Sequence, residues 1–321
     1  MDHSTKQEIV KKLVAYMDEH KMSQADVASK AGVRKEYLSI ILQENSSFMY
    51  NAGNGKMGAI PFKHFLNLAT LCGYNAEPVY WQIQPTPQME ATLRYLQDAK
   101  ENSQTIVMIG ETGSGKTLIT KLFASKNPID TFIITAGSSD NLNDLLNKML
   151  EALSIAIPYS SKSAKITAIA ERLKRLTYSD YKPMMIIDES EYLKQAALCA
   201  NKEIHDYIHE YCSLVFVGTD QLIANIEKLR KKNKQGIPQF HRRIKFGLRV
   251  LPNIDRGFIE FIDEIEDKEL KQFIHRNCNN YGELHDLLVP VRREAERLKV
   301  AVTMSLVREV LNLPDGNLAW H

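Results

Sequence analysis

The chain has 321 residues, a net charge of +2, 44% hydrophobic and 25% charged residues, which is ordinary for a globular protein of about two domains plus a small extra one. Its four cysteines lie far apart without a C-x-x-C pair, which argues against a zinc ribbon or disulfide scaffold and fits a reducing cytosol. No run approaches the roughly 20 apolar residues that span a bilayer, and the N-terminus has no apolar signal core. We therefore expect a cytoplasmic protein without a membrane partner.

Helices are predicted through the first eighty residues. Apolar positions recur at helical spacing in residues 6–20, and Ser23 with Asp26 forms a capping signature for a second helix over 26–30. Gly32 can take the positive φ of a tight turn before a third helix over 34–43, and a fourth helix covers 61–72. The glycine- and asparagine-rich segment 46–59 predicts a loop.

This helix–turn–helix order resembles the DNA-binding domain of phage repressors, in which the third helix enters the major groove. The resemblance implies DNA contacts by Arg34, Lys35 and Ser39. A helical bundle that docks protein is the alternative. Residues 1–60 carry eight Lys or Arg against seven Asp or Glu, which favours weak or non-specific DNA contact over tight operator binding.

A glycine-rich loop follows the apolar run Ile106–Ile109, which predicts a buried parallel strand. The loop, Gly110–Thr117, matches G-x-x-x-x-G-K-[ST], and residues 118–126 predict a helix after it. Its glycines let backbone N–H groups face a triphosphate, Lys116 would reach the β and γ phosphates, and Thr117 would bind Mg²⁺. The predicted ATP-binding residues are Gly110, Glu111, Thr112, Gly113, Ser114, Gly115, Lys116, Thr117 and Leu118.

A second strand ending in acids lies some seventy residues later. Apolar residues 183–187 lead into Asp188 and Glu189, which matches the Walker B pattern. Asp188 would hold Mg²⁺ with Thr117, and Glu189 would orient and activate the attacking water. Between the two motifs, a strand is predicted over 131–135 and helices over 141–153 and 166–176.

A further buried strand covers Leu214–Thr219, and the motifs together resemble AAA+ ATPases. The resemblance implies that Thr219 is a polar sensor of the γ-phosphate, with an ordinary strand-ending turn as the alternative. Residues 228–249 contain nine Lys or Arg and no Asp or Glu. By resemblance, Arg242 or Arg243 would be an arginine finger that reaches a neighbouring subunit's nucleotide. A basic patch facing DNA, with Lys231 and Lys232, is the rival interpretation.

Helices predicted over 255–277, 281–299 and 305–313 suit the small helical lid of this family. The lid commonly carries an arginine after a glycine at the start of a helix, and His285 stands at that position here. This departure implies that hydrolysis is slow or that it needs help from a partner. With the proline-containing segment 84–88 as an interdomain linker, we predict a helix-turn-helix domain over 1–82, a linker over 83–88, an ATPase core over 89–252 and a lid over 253–321.

The order of these parts resembles the AAA+ ATPases that select target DNA in transposition. That resemblance implies an α/β fold: an AAA+ P-loop NTPase core with a parallel sheet, an N-terminal all-α helix-turn-helix domain and a small C-terminal helical lid. It implies an ATPase using ATP and Mg²⁺, stimulated by DNA or a transposase. It also implies an ATP-dependent homo-oligomer or helical filament on double-stranded DNA, delivery of that DNA to the transposase, and a bacterial or phage-infected host cytoplasm as the location.

The resemblance places an inner DNA-contacting loop at Ser160–Lys165, with Lys162 and Lys165 as the contacts. Two alternatives remain from the sequence. One is a helicase-loader-type ATPase, whose main client is another protein. The other is a nucleotide-switched helix-turn-helix transcriptional regulator.

Overall fold

The computed structural model describes residues 3–43, 46–52, 56–74, 80–156 and 161–313. The chain divides into two compact units. Unit 1 is Met1–Val79 with Ala124–Ile129, and unit 2 is Tyr80–Phe123 with Asp130–His321. No helix in the described ranges is long and apolar enough to cross a membrane.

The helices predicted in the first eighty residues are present. Before residue 80 the described elements are α1 (His3–Glu19), α2 (Gln24–Ala31), α3 (Lys35–Ile41), β1 (Met49–Asn51), β2 (Met57–Ala59) and α4 (Phe62–Leu71). A capping box starts α2, because Ser23 Oγ accepts from the Asp26 N–H while the Asp26 carboxylate accepts from the Ser23 N–H. Gly32 ends this helix at a left-handed φ of 60°. The buried faces meet in a core that includes Leu38 and Phe65.

The segment 46–59 is not a loop throughout, which corrects the sequence-based prediction. Strands β1 and β2 pair antiparallel, with Met49 opposite Ala59. Phe48 is only 3% exposed, and its ring meets the Phe65 ring edge-on at 5.2 Å. Burial of this one aromatic side chain anchors the hairpin, a tertiary effect that its three-residue strands do not signal. Residues 53–55 lie outside the described ranges.

A five-stranded parallel sheet forms the centre of unit 2 within the described residues. In spatial order its strands are β4 (Thr131–Thr135), β5 (Met184–Asp188), β6 (Ser213–Gly218), β3 (Thr105–Ile109) and β7 (Leu248–Val250). Side chains alternate between two apolar clusters: along β3, Ile106 and Met108 join one cluster, whereas Val107 and Ile109 join the other. Burial on both faces explains the continuous apolar runs and confirms the predicted α/β fold.

Helices cover both faces of the sheet, and further helices follow its last strand along the chain. They are α5 (Pro87–Glu101), α6 (Lys116–Lys126), α7 (Leu142–Ala152), α8 (Lys162–Thr177), α9 (Gln195–Ile208), α10 (Asp220–Lys231), α11 (Ile237–Ile244), α12 (Ile259–Ile262), α13 (Lys268–Asn277), α14 (Tyr281–Leu298) and α15 (Met304–Leu311). The last four share a separate core that includes the fully buried Phe258, Leu284 and Leu288. No helix was predicted where α9 lies.

The boundary between the first two predicted domains differs from the structure. Residues 80–82 group with unit 2, three residues earlier than predicted. The predicted linker 83–88 also runs into α5, whose N-cap is Thr86 and whose first turn contains Pro87. A proline in the first turn of a helix loses no intrahelical hydrogen bond, so Pro87 begins α5 and does not interrupt it. The division at 252 between core and lid stays a prediction, and residues 314–321 lie outside the described ranges.

Candidate functional site

The phosphate loop Gly110–Thr117 connects β3 to the start of α6. Gly113 and Gly115 have φ values of 72° and 83°, a left-handed conformation that favours glycine. A Cβ atom on Gly113 would lie 2.3 Å from Oδ1 of Asn280, the N-cap of α14. The loop therefore needs glycine both for its backbone conformation and for the close approach of the helix that begins after Asn280.

Lys116 lies inside the curl of this loop. Its Nζ donates to the carbonyl oxygens of Gly110 at 2.9 Å and Glu111 at 2.7 Å. Burial lowers the pKa of the ammonium group, and the negative charges of nearby acids, first Glu191 and then Asp188, oppose that shift. The loop thus places the ammonium group of Lys116 beside the loop's own backbone N–H groups.

Thr117 and Asp188 bring two hard oxygen atoms together. Thr117 Oγ1 donates to Asp188 Oδ2 at 2.6 Å, across 71 residues of sequence. The sheet makes this contact, since the phosphate loop leaves the carboxyl end of β3 and Asp188 ends β5, with only β6 between them. A hydroxyl and a carboxylate are donors that Mg²⁺ takes in nucleotide sites, so this pair fits the predicted metal.

Glu189 follows directly, with a left-handed φ of 55°. Its backbone N–H donates to Asp188 Oδ1 at 3.0 Å. Burial raises the pKa of its carboxyl group, the charges of Glu191 and Asp188 add to that, and Lys116 acts in the opposite direction. A carboxylate whose pKa is raised is a better proton acceptor than an ordinary glutamate, which suits the predicted general base.

A third acid, Glu191, was missed by the sequence analysis. Thr219 Oγ1 donates to Glu191 Oε1 at 3.0 Å, and Asn225 Nδ2 donates to the Glu191 carbonyl oxygen at 3.1 Å. The other carboxylate oxygen, Oε2, is buried without a hydrogen-bond partner among the described residues, and a Cβ on Gly218 would lie 2.6 Å from it. The only sequence signal was an acid three residues after Asp188.

These groups surround one cavity of about 630 Å³. Of the predicted site residues, Thr112–Leu118, Asp188, Glu189 and Thr219 line this cavity, whereas Gly110 and Glu111 present their carbonyl oxygens to Lys116. The lining that was not predicted consists of Trp81, Lys121, Glu191, Tyr192, Gly218, Gln221, Tyr281 and Gly282. His285, the position where the resemblance implies an arginine, also lines the cavity.

Arg242 and Arg243 lie on α11, away from this cavity lining. Arg243 donates from Nε to Asp206 Oδ1 at 2.6 Å and from Nη1 to the Gln239 carbonyl oxygen at 3.0 Å. Arg242 is exposed and makes no hydrogen bond or ion pair within the described part of the chain. The structure thus separates two arginines that the sequence left equivalent.

The residues predicted to contact DNA differ in accessibility. Arg34, Lys35 and Ser39 are exposed at and within α3, and Lys231 and Lys232 are exposed at the end of α10. Lys162 is exposed in the first turn of α8.

Lys165 is an exception, and its assignment as a DNA contact is wrong. It is only 4% exposed, and its Nζ donates to Asn143 Oδ1 at 2.7 Å and Asn147 Oδ1 at 2.6 Å. The predicted inner loop is the N-terminal turn of α8, capped by Ser161, so helical geometry turns Lys165 inward. Ser160 of that predicted loop lies outside the described residues.

Comparison with known proteins agrees with this geometry. Residues 99–226 match the AAA domain family. Over 247 residues the chain is 25% identical to the Mu-like prophage FluMu DNA transposition protein B of Haemophilus influenzae, covering 76% of this chain and 78% of that protein.

Two solved structures are also similar. The ADP form of the Aeropyrum pernix ORC2 protein has a TM-score of 0.49 at 15% identity, with coverage of 76% of this chain and 72% of that one. The Thermotoga maritima RuvB Holliday junction branch migration motor has a TM-score of 0.42 at 18% identity, with coverage of 74% and 72%. The chain thus has the P-loop NTPase fold with a parallel five-stranded sheet, residues 99–226 are similar to the AAA domain family, and over most of its length the chain is similar to a Mu-like prophage DNA transposition protein B.

Proposed function

We propose that this chain is an ATP-dependent, largely sequence-nonspecific DNA-binding ATPase that assembles on target DNA and delivers it to a transposase. The observation that carries the proposal is that Lys116, Thr117, Asp188 and Glu189 line the same cavity. The printed name of its prophage relative, a DNA transposition protein, supports the biological setting.

The chain's own residues have separate roles in this proposal. Lys116 and the N–H groups at the start of α6 bind the phosphates, and Thr117 with Asp188 holds Mg²⁺. Bound Mg²⁺ would neutralise charge that develops on the transferred phosphoryl group. Glu189 accepts a proton from the attacking water, for which its raised pKa suits it. Thr219 orients the water or the γ-phosphate, with Glu191 holding its hydroxyl.

Assembly would bring Arg242 into a neighbouring subunit's site. Its guanidinium group is exposed and has no partner among the described residues, whereas Arg243 is already committed to Asp206. An arginine supplied from a second subunit stabilises the transition-state charge, so hydrolysis would depend on the assembled form.

Double-stranded DNA would be held by exposed cations that bind phosphates. Lys231 and Lys232 lie in the basic segment 228–249, and Lys162, Arg34 and Lys35 are exposed elsewhere. Contacts of this kind tolerate any sequence and weaken steeply with salt, because binding releases the counterions condensed on DNA.

Two variants test the coupling of nucleotide to DNA. Lys116→Ala should abolish ATP-dependent DNA binding, whereas Glu189→Gln should keep DNA binding and stop hydrolysis. Lys126→Ala, at the exposed end of the same helix, is the matched control. Filter binding with labelled duplex DNA measures the first effect, and phosphate release measures the second. Wild-type DNA affinity in Lys116→Ala under ATP would contradict the proposal.

Footprinting and electron microscopy separate the assembly from its alternatives. A filament protects duplex DNA of any sequence and is visible with ATP and DNA. An operator-reading regulator that uses Arg34, Lys35 and Ser39 protects one site, and the exposure of α3 gives that candidate its support. A helicase loader would instead co-purify with a replicative helicase rather than a transposase.

A further inference from the structure

Glu191 lies on a short turn that follows β5. Ser190–Tyr192 is a single 3₁₀ turn, and Ser190 Oγ donates to the Ile187 carbonyl oxygen at 2.7 Å. Asn225 Nδ2, on α10, donates to the Glu191 carbonyl oxygen at 3.1 Å. These two hydrogen bonds fix the backbone from which the Glu191 side chain reaches the cavity that it lines.

The Thr219 hydroxyl donates its single proton to Glu191. Thr219 Oγ1 lies 3.0 Å from Glu191 Oε1, whereas Oε2 is buried without a hydrogen-bond partner among the described residues. Within those residues Thr219 is therefore the one hydrogen-bond donor to this carboxylate. Since a buried charged acceptor without a donor is costly, the carboxylate holds the hydroxyl in one orientation.

The lone pairs of Thr219 Oγ1 are not used by the helix that Thr219 begins. Thr219 is the N-cap of α10, a position where a threonine side chain commonly accepts from a backbone N–H of the first turn. Its backbone has the extended conformation of such a cap, yet the described helix shows no side-chain cap hydrogen bond. The lone pairs of the hydroxyl are therefore available in the cavity that Thr219 lines.

We propose that Glu191 is a positioning residue that makes the Thr219 hydroxyl a hydrogen-bond acceptor toward the cavity, so that Thr219 orients the attacking water and does not bind the γ-phosphate. The inference rests on the proposed function, in which ATP is hydrolysed at this site. An ionised phosphate group only accepts hydrogen bonds, and Thr219 has no second proton to give it. A water molecule has two protons, one for Thr219 Oγ1 and one for Glu189.

This orientation of the water fits the hydrolysis step. The water oxygen forms a bond to the γ-phosphorus while the bond from that phosphorus to the β–γ bridging oxygen breaks. The proton that faces Glu189 moves to its carboxylate, the second proton stays on the phosphate product, and ADP leaves with the bridging oxygen. Glu191 takes no proton in this step, because it acts through Thr219.

Gly218 leaves the space that the Glu191 carboxylate occupies. A Cβ atom on Gly218, at the end of β6, would lie 2.6 Å from Glu191 Oε2. The obstructed atom is the far end of a flexible side chain, and the φ of Gly218 is not positive, so alanine there displaces the carboxylate with little strain. Gly218→Ala therefore breaks the bond to Thr219 without replacing either partner.

Turnover at saturating ATP, with Mg²⁺ and duplex DNA, tests this role. Thr219→Val, Glu191→Ala and Gly218→Ala should each slow phosphate release about a hundredfold, since a misplaced water reacts slowly. Combining Glu191→Ala with Thr219→Val should bring no further loss. Glu191→Gln keeps an oxygen that accepts from Thr219 and should retain most of the turnover. Asp220→Ala, which removes an exposed acid beside Thr219, is the control and should keep wild-type turnover.

Nucleotide affinity separates water positioning from phosphate sensing. In calorimetry with Mg²⁺, Thr219→Val should change the affinities for ADP and for a non-hydrolysable ATP analogue by the same factor. ADP binding by each variant shows that its site has folded. A loss of affinity confined to the ATP analogue would overturn the inference, as would wild-type turnover in Glu191→Ala and Gly218→Ala. If the wild type neither binds nor hydrolyses ATP, the proposed function itself fails, whereas wild-type hydrolysis that persists in those two variants removes only the role of Glu191.

Discussion

Replacing Arg242 and Arg243 one at a time should separate catalysis from stability. Arg243 is held by Asp206, and its side chain is 22% exposed, whereas Arg242 is free of such bonds among the described residues. Arg243→Ala should therefore destabilise the fold and leave DNA-stimulated hydrolysis in place. Arg242→Ala should remove that hydrolysis, with a change in unfolding free energy within about 0.5 kcal/mol.

The size of the Arg243 effect follows from the pKa of Asp206. Burial acts to raise this pKa, but hydrogen bonds from Lys202 and Arg243 outweigh it and lower the pKa from 3.8 to about 2. That change corresponds to ~2.4 kcal/mol in favour of the folded state. The Asp206 side chain is 35% exposed and two cations share the effect, so we expect about 1 kcal/mol from Arg243 alone. This contribution is present above pH 3.8 and is lost as the pH falls through about 2.

Thermal unfolding and phosphate release measure the two outcomes. A loss of about 1 kcal/mol lowers Tm by about 2–4 °C in a domain of this size. Lys202→Ala, which removes the other cation beside Asp206, is the matched control and should behave like Arg243→Ala. The assignment is refuted if Arg243→Ala abolishes hydrolysis at an unchanged Tm while Arg242→Ala remains active.

Three further changes test the interior of unit 2. Glu191→Gln removes a charge that raises the pKa of Glu189, so the acid side of the pH–rate profile should move to lower pH; an unchanged profile would count against this coupling. Lys165→Met leaves two asparagine oxygens without their buried donor, so it should lower the free energy of unfolding by about 2–3 kcal/mol, measured with urea. Lys162→Ala, at an exposed position, should lower it by less than about 0.5 kcal/mol. Equal losses would contradict the burial of Lys165. Met149→Ala, in the core that covers the sheet, should lower the free energy of unfolding by about 2–5 kcal/mol by the same measurement. A smaller loss would mean that the neighbouring side chains move into the space left by the methionine.

Local sequence determined the elements whose chemistry is contained in a short stretch. The phosphate loop, the strand ending at Asp188 and the capping box at Ser23 each depend on neighbours within about ten residues, so their residue types and spacing are sufficient to predict them. The apolar strands were predictable for a similar reason, because burial on both faces of a parallel sheet demands a continuous apolar run.

Tertiary structure decided whatever depends on a partner distant in sequence. Arg242 and Arg243 are adjacent residues of the same type, and they differ because Asp206, 37 residues before Arg243, binds Arg243. A lysine in this position is expected at the surface, but α7 supplies two asparagine oxygens that accept hydrogen bonds from Lys165 where it is buried. Trp81 joins the cavity only because residues some two hundred positions later pack beneath it. Pattern and spacing determine local conformation, but they do not encode which side chains meet once the chain has folded.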